Sequence, residues 1–475
     1  MRGLYRSGSF LTFLSFLIVI LLIAPQAIFG ADREPRGERI PGQYIVVFKD
    51  SVADVDSAEV EIVTHARGER LASYRSALKG FAARFSEADL SAVAGDPRVA
   101  FVSEDREVSI ADARPSRFSE RGDVSMSARR SRDPVTPSPS PSPAPSPTPT
   151  PTPTPPPPDA TPSGQVGAAQ LQPLPTGINR IGAGGLTNKG AGVDVAVIDT
   201  GIFASHPDLS GKVVGGKNCT QSGGSYIDQN GHGTHVAGTI GALDNSFGVV
   251  GVAPETRLWA VRVLDKNGNG TWSTVICGLD FVTSKAPKNG GPIRVANLSL
   301  GGGGVSDNNC GNSNNDPLHK AICRARDAGV TIVVAAGNSG ASAANFIPAA
   351  YNDAVITVSA LADSDGMSGS LGSGTSYGSD DTFASFSNWG TPVDVGAPGV
   401  YINSTWIGNG YKSISGTSMA SPHVAGAAAL YIAGHPGALW SDVRSALISA
   451  GESLGSGHTD PSGRHLEPVL NVSTF

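Results

Sequence analysis

An aspartate, a histidine and a serine stand in surroundings that suit acyl transfer. Asp199 ends an apolar run in Val-Ile-Asp-Thr-Gly, His232 lies in Asn-Gly-His-Gly-Thr-His-Val-Ala-Gly, and Ser418 lies in Gly-Thr-Ser-Met-Ala-Ser-Pro. A serine hydroxyl becomes a strong nucleophile when an imidazole takes its proton, and that imidazole needs a carboxylate to fix its tautomer and stabilise its charged form. The sequence therefore predicts Ser418 as nucleophile, His232 as base and Asp199 as the acid that orients the base.

Each of these residues also has an ordinary structural explanation when taken alone. Asp199 could cap a turn, His232 could be a buried histidine at a helix start, and Ser418 could be an N-cap. Their joint occurrence, in order and in matching surroundings, favours the catalytic interpretation.

The three motifs, in the order Asp, His, Ser, resemble those of the subtilase family over about residues 170–475. The resemblance implies a serine endopeptidase that hydrolyses polypeptide substrates. Asn338, in Val-Val-Ala-Ala-Gly-Asn-Ser-Gly, resembles the family's oxyanion-hole asparagine, whose amide stabilises the tetrahedral intermediate together with the backbone N–H of Ser418. His235 and His423 match structural histidines, and we expect neither to be catalytic.

Two glycine-containing segments resemble those between which subtilases clamp a substrate strand. Peptides bind there through main-chain hydrogen bonds, and glycine permits close backbone approach. Trp272 matches a position that shapes the pocket for the fourth substrate residue. No acidic residue stands where a basic first residue needs one, so we expect a broad apolar preference in the first pocket. The predicted substrate-binding residues are Gly268, Asn269, Gly270, Trp272, Ser299, Leu300, Gly301 and Gly302.

A loop after the predicted His232 helix offers the hard oxygen ligands that calcium favours. It resembles the family's strong calcium loop, which implies one structural Ca²⁺, although an ordinary surface loop remains the alternative. Residues 308–316 are a weaker second candidate. The predicted ligands are the side chains of Gln172, Asp208 and Asn245 and the carbonyls of Leu243, Phe247 and Val249.

The elements that must position these groups are short β-branched runs separated by helical stretches. Buried runs of this kind are typical of a parallel sheet covered on both faces, so we predict a doubly wound α/β fold in which functional residues follow the strand ends. The predicted strands are residues 193–198, 258–264, 295–300, 331–336 and 355–360.

A smaller α+β module is predicted before this domain, over residues 41–110. A strand over residues 43–48 precedes a helix that begins at Ser86 and a strand over residues 99–102. Residues 78–83 and 102–105 resemble the subtilase propeptide, which assists folding and then acts as an intramolecular inhibitor until it is cleaved. The resemblance implies first cleavage between about residues 106 and 132.

The remaining segments read as export and spacer sequences. Two arginines precede an apolar run at residues 10–24, which predicts a signal peptide over residues 1–31 and a secreted, extracellular protein, with an uncleaved anchor as the alternative. Residues 111–165 are rich in Arg and Ser and then in Pro, which predicts a disordered, partly polyproline linker. The catalytic domain is predicted over residues 166–475.

The net charge limits the classes of partner that the chain can bind, and the cysteine content indicates whether it forms disulfides. The formal net charge of −6 lacks the basic field of a nucleic-acid binder. We expect no membrane partner after removal of the signal peptide, and we expect the protein to be a monomer.

The even number of cysteines in an exported chain suggests disulfides. We favour Cys310 with Cys323, because they bracket a loop rich in Asn and Gly, and Cys219 with Cys277; free buried thiols are the alternative.

Three other functions fit the same motifs. The chain could be a catalytically silent subtilase fold that acts in binding, an acyltransferase that excludes water from deacylation, or an enzyme that cuts only its own propeptide. The complete set of Asp199, His232 and Ser418 argues against the first, and the cleavage of added casein distinguishes the last.

Overall fold

The computed structural model describes residues 37–110, 172–220 and 224–475. The predicted signal peptide and linker lie outside the described residues. Within the described ranges, no helix combines the length and the apolar character needed to cross a lipid bilayer.

The N-terminal module packs two helices against four antiparallel strands, which lie side by side as the fourth, first, third and second strands along the chain. Ser86 is the N-cap of its second helix, as predicted, because its side chain accepts a hydrogen bond from the backbone N–H of Asp89. The last strand continues well past the predicted residues 99–102. The elements are β1 Arg39–Phe48, α1 Val55–His65, β2 Glu69–Tyr74, β3 Gly80–Arg84, α2 Glu87–Ala94 and β4 Val99–Ile110.

The second module alternates strands and helices along the chain. Its strands are β5 Asp194–Asp199, β6 Val213–Asn218, β7 Arg257–Arg262, β8 Asn269–Thr271, β9 Ile293–Leu298, β10 Leu300–Gly303, β11 Thr331–Ala335, β12 Phe346–Ile347, β13 Ile356–Ala362, β14 Thr382–Phe383, β15 Val395–Pro398, β16 Ile402–Trp406 and β17 Gly410–Ile414. Its α-helices are α3 Thr176–Arg180, α4 His232–Gly241, α5 Trp272–Ser284, α6 Pro317–Asp327, α7 Thr417–Gly434 and α8 Trp440–Ala450.

The central sheet has the strand order β14-β13-β11-β9-β5-β7-β6, with β15 also paired to β13. Neighbouring strands are parallel except at β14, which is antiparallel to β13. The five predicted strands are β5, β7, β9, β11 and β13, each within two residues of its expected position. The α/β fold prediction is confirmed.

Helices cover both faces of this sheet. Along β5, Val195 and Val197 pack in a cluster with residues of α4, α7 and α8, whereas Ala196 and Ile198 pack in a cluster with residues of α5 and α6. Because alternate side chains of a strand point to opposite faces, both faces of β5 are apolar. This explains why the strand reads as a continuous apolar run.

Both favoured disulfides form, Cys219 with Cys277 and Cys310 with Cys323. The second closes a loop across a sequence separation of 13 and attaches it to α6. The described part of the chain contains no free cysteine.

Candidate active site

Asp199 is the last residue of β5 and is fully buried. Its Oδ1 accepts a hydrogen bond of 2.7 Å from the backbone N–H of Thr200. The carboxylate thus lies at the carboxyl edge of the parallel sheet, where this architecture places functional residues.

His232 opens α4 directly behind a glycine with a left-handed backbone. Gly231 has φ 113°, and a Cβ at this position would lie 2.3 Å from the ring of Trp406, so no other residue fits without rearrangement. This turn brings Nδ1 of His232 to 2.8 Å and 3.0 Å from the two carboxylate oxygens of Asp199. The contact fixes a proton on Nδ1, so that Nε2 is the nitrogen that can act as a base.

Ser418 is buried in the first turn of α7 and contacts Ser299, the residue that follows β9. Its Oγ donates to the carbonyl oxygen of Ser299 at 3.1 Å, and the Oγ of Ser299 donates to the carbonyl oxygen of Ser418 at 2.9 Å. The helix carrying Ser418 also packs against α4, the helix carrying His232. Ser299 is therefore a link between the predicted nucleophile and β10, which starts one residue later.

Asn338 follows β11 at the same edge of the sheet. Its Oδ1 accepts hydrogen bonds from the backbone N–H and the Oγ1 of Thr417, at 2.8 Å and 2.9 Å. Because the oxygen is turned toward the residue before Ser418, the amide Nδ2 is the donor end of the side chain. Asn338 also lines a cavity next to β10 and the end of β4.

The strand β4 of the N-terminal module lies between two strands of the second module. On one side, Ser109 pairs with Gly301 and Ile110 pairs with Leu300 in β10. On the other side, β8 pairs antiparallel with residues Glu107, Val108 and Ser109, and the backbone N–H of Ile110 donates to the carbonyl oxygen of Gly268 at 3.0 Å.

The predicted substrate segments thus hold an extended strand through their backbones. Asn269 and Gly270 belong to β8, while Gly302 pairs with Ile347 in β12 and lines the cavity beside Asn338. Trp272, the first residue of α5, is 3 % exposed and packs in the same apolar cluster as Val108 of the bound strand.

Among the described residues, no charged side chain lines the cavity beside Asn338. It opens next to Ile110, the last described residue of β4. Its lining residues are Ser109, Ile110, Leu300, Gly301, Gly302, Ala335, Ala336, Gly337, Asn338, Ser339, Phe346, Ile347 and Ala349. A cavity with this lining favours an apolar or small side chain over a charged one.

His235 and His423 are buried and held in structural hydrogen bonds. Nε2 of His235 lies 2.9 Å from the carbonyl oxygen of Ile402, and Nδ1 of His423 lies 2.9 Å from that of Met419. Burial lowers the pKa of His235 to about 3 and that of His423 to about 4. Both imidazoles are therefore neutral at physiological pH.

The predicted calcium ligands come together around Asp208. This carboxylate is fully buried and accepts hydrogen bonds from Asn245 Nδ2 at 3.1 Å and the N–H of Val249 at 2.9 Å. Gln172 bridges the loop, because its Nε2 donates to the carbonyl oxygen of Leu243 and its Oε1 accepts from the N–H of Asn245.

The chemistry of this cluster fits a calcium ion. Among the described residues, no cationic side chain forms an ion pair with Asp208. A Cβ on Gly248 would lie 2.2 Å from Asp208 Oδ2, so only glycine allows the loop to approach the carboxylate. A buried, unneutralised carboxylate beside several carbonyl and amide oxygens is a suitable environment for Ca²⁺.

The weaker calcium candidate, residues 308–316, uses its carboxylate for a different purpose. Asp316 caps α6 by accepting from the N–H groups of Leu318 and His319, and it accepts a hydrogen bond of 2.5 Å from the hydroxyl of Tyr351. Asp316 therefore caps α6 and holds the hydroxyl of Tyr351.

Two carboxylates whose roles the sequence did not reveal, the buried Asp105 and the partly buried Asp280, join the N-terminal module to α5. Asp105 accepts from the N–H of Ser273, near the start of α5, at 3.0 Å. Asp280 accepts from the consecutive N–H groups of Arg75, Ser76 and Ala77 at 2.6 to 2.9 Å. Burial raises the pKa of both side chains. Asp280 had no motif to mark it, because its partners are backbone groups about 200 residues earlier.

Comparison with known proteins gives consistent matches over both modules. The subtilase family model matches residues 190–463, and the peptidase inhibitor I9 model matches residues 43–111. The chain is 46% identical to subtilisin DY of Bacillus licheniformis over 271 residues, which is 56% of this chain and 86% of that protein. It is 42% identical to subtilisin Savinase of Lederbergia lenta over 297 residues, or 62% of this chain and 96% of that protein.

A solved structure also resembles the chain. The crystal structure of a cold adapted subtilisin-like serine proteinase matches with a TM-score of 0.51 and 36% sequence identity, covering 62% of this chain and 97% of that one.

Proposed function

Because the chain belongs to the subtilase family and is a serine endopeptidase with an I9 propeptide domain, we propose that it is secreted as a self-processing zymogen with Asp199, His232 and Ser418 as its catalytic triad. The observation that carries the proposal is the pairing of β4 with β8 and β10, in a chain where His232 also contacts Asp199.

In this mechanism Ser418 Oγ attacks the carbonyl carbon of the scissile peptide bond. Nε2 of His232 takes the hydroxyl proton, and Asp199 stabilises the resulting imidazolium through Nδ1–H. The Nδ2 amide of Asn338 and the backbone N–H of Ser418 stabilise the oxyanion of the tetrahedral intermediate. His232 then gives the proton to the leaving amine, and water hydrolyses the acyl-enzyme by the reverse sequence.

Substrates bind as the strand β4 does, paired on both sides by backbone groups. The uncharged cavity beside Asn338 receives the residue before the scissile bond and favours small or apolar side chains. Trp272 and its neighbours receive an apolar residue three positions earlier. The N-terminal module therefore acts as an intramolecular inhibitor that occupies the substrate strand's place.

A calcium ion would stabilise the loop after α4. It would be held by the side chains of Gln172, Asp208 and Asn245 and by the carbonyls of Leu243, Phe247 and Val249. Its contribution is structural, because it neutralises the buried carboxylate of Asp208.

The experiment compares the secreted wild-type chain with Ser418→Ala, by intact-mass analysis and a casein assay in excess calcium. Wild type should lose its propeptide and cut casein, whereas Ser418→Ala should accumulate as the full-length precursor and leave casein intact. Ser441→Ala, on the exposed surface of α8, is the matched control and should behave as wild type.

Two results would contradict the proposal in different ways. A wild type that processes itself but leaves casein intact is a self-limited enzyme. A Ser418→Ala chain that still loses its propeptide without contaminating protease shows that Ser418 is not the nucleophile.

A further inference from the structure

The loop between β13 and β14 gathers three carboxylates outside the active site. One ligand oxygen from each of Asp363, Asp365 and Asp380 lies within 4.8 Å of the others. Calcium binds oxygen at about 2.3–2.6 Å, so two ligands of one ion are at most about 5 Å apart. The three oxygens are therefore close enough to share an ion.

Asp363 is the member of this group that lacks a full set of partners. It is 3 % exposed, and its Oδ1 accepts from the N–H of Gly366 at 3.0 Å. Its Oδ2 is buried and has no hydrogen-bond partner among the described residues. An ionised oxygen in this state is strongly unfavourable. Accordingly, burial raises the pKa of Asp363 to about 7.

The other two carboxylates are held in place by backbone donors. Asp380 accepts from the N–H of Ser364 at 2.8 Å and from the N–H of Gly372 at 2.7 Å, on different oxygens. Asp365 is half-buried and accepts from the N–H of Met367 at 2.8 Å. A carboxylate oxygen has two lone pairs, so each of these groups keeps the capacity to bind a cation.

Protein cations do not neutralise this group. Within the described ranges, no ion pair includes any of the three aspartates. The positive charge of Arg180 favours the ionised form of Asp363, but the hydrogen bonds of Arg180 go to other carboxylates. Its Nε donates to Asp381 at 2.6 Å and its Nη2 donates to Glu452 at 2.9 Å. The group thus combines converging oxygens, negative charge and one unmatched acceptor.

We propose that Asp363, Asp365 and Asp380 bind a Ca²⁺ ion that fixes the loop between β13 and β14. The ligands are hard oxygens, and the Asp-Ser-Asp-Gly sequence at residues 363–366 places two carboxylates at alternate positions before a glycine turn, as calcium loops do. This ion is separate from the one proposed beside Asp208.

The bound ion also secures the start of the catalytic module. Asn179 of α3 donates to the carbonyl oxygen of Gly366 at 2.9 Å, and Arg180 of α3 pairs with Asp381 at the end of the loop. Fixing the loop therefore fixes α3, so calcium binding here should slow the local opening of both segments.

The test counts Ca²⁺ ions bound to the full-length Ser418→Ala chain, by equilibrium dialysis with radioactive calcium. Asp363→Asn and Asp365→Asn should each bind one ion fewer per chain than this background. Asp327→Asn, which removes the same charge from an exposed side chain of α6, should bind the full number. The count does not depend on peptidase activity, so it succeeds or fails separately from the proposed function.

Thermal unfolding gives a second readout. In excess chelator, the melting temperature of Asp363→Asn should be no lower than that of the Ser418→Ala background, because a neutral amide replaces a carboxylate oxygen that lacks a hydrogen-bond partner. When calcium is added, the melting temperature of Asp363→Asn should rise less than that of the background. The proposal is wrong if Asp365→Asn, whose half-exposed side chain tolerates the change, keeps the full ion count and the full calcium-dependent shift. That result means that Asp363 is protonated rather than metal-bound.

Discussion

The side chain of Asn338 is held in place through its acceptor oxygen Oδ1, and this fixes the orientation of its donor nitrogen Nδ2. Thr417 supplies both hydrogen bonds to Oδ1, so the carboxamide cannot rotate without losing them. A donor that is already oriented stabilises a developing oxyanion without reorganisation in the transition state.

Asn338→Ala should lower kcat while leaving KM nearly unchanged, because the hydrogen bond forms only as charge develops. Loss of one such donor in subtilisin reduces turnover about 100- to 1000-fold, and we expect a fall of the same order. Steady-state kinetics on a chromogenic peptide measure it, with Asn345→Ala at an exposed position as the control. An equal change in KM with kcat preserved would contradict the assignment.

Among the elements, β4 is the one from which we predict the first cut of the proposed self-processing. Its register places Ile110 opposite Leu300 and hydrogen-bonded to Gly268, beside the cavity lined by Asn338. A substrate strand that stays extended beyond the position of Ile110 would bring its next residue closer to Ser418 and Asn338. We therefore predict that the scissile bond is the one between Ala111 and Asp112, within the cleavage interval expected from the sequence.

Intact-mass analysis of the first processed form should give a new N-terminus at Asp112. Ile110→Pro should slow this step and accumulate precursor, because proline cannot donate to the carbonyl oxygen of Gly268. Ile110→Val, which keeps the N–H, should process at nearly the wild-type rate. A first cut elsewhere in a chain with an intact β4 would refute the register argument.

Sequence patterns predicted the helices and strands whose own residues show a clear hydrophobic or capping pattern. The strands of the central sheet are buried on both faces, so they appear in the sequence as continuous apolar runs. The start of α2 was predicted from Ser86, which is its N-cap. The elements α1 and β2 were missed because they mix exposed with buried positions, and β3 was missed because it has only 5 residues. The group around Asp363 was also missed, because Asp380 reaches it only through the folding of the loop.

At the scale of the whole molecule, the core between α4 and α7 contains the neutral histidines His235 and His423. Burial lowers their pKa values to about 3 and about 4, whereas an unfolded chain binds protons near 6.5. The unfolded state therefore binds more protons between these limits, so this contribution to the free energy of unfolding is complete above about pH 7 and is lost as the pH falls.

His423→Gln should make unfolding less sensitive to acid. Between pH 7.5 and pH 5, the parent Ser418→Ala chain should lose roughly 2 kcal/mol more than the variant, since one histidine no longer takes up a proton on unfolding. Burial raises the pKa of Asp394 to about 6, which acts in the opposite direction, so the difference between the two chains is the decisive quantity. Denaturant unfolding measures this difference, with His65→Gln at an exposed position of α1 as the control. Identical pH profiles for parent and His423→Gln would show that His423 does not contribute.

The backbone pairing of β4 has a consequence for the proteins that this enzyme meets. β8 and β10 pair with the main-chain N–H and C=O groups of the bound strand. A substrate protein must therefore present several consecutive residues in extended form, which folded domains rarely expose. The survival time of a target should then follow the equilibrium population of its locally open states more than its amino-acid sequence. Stable proteins would persist beside this peptidase, while marginally stable ones would be removed first.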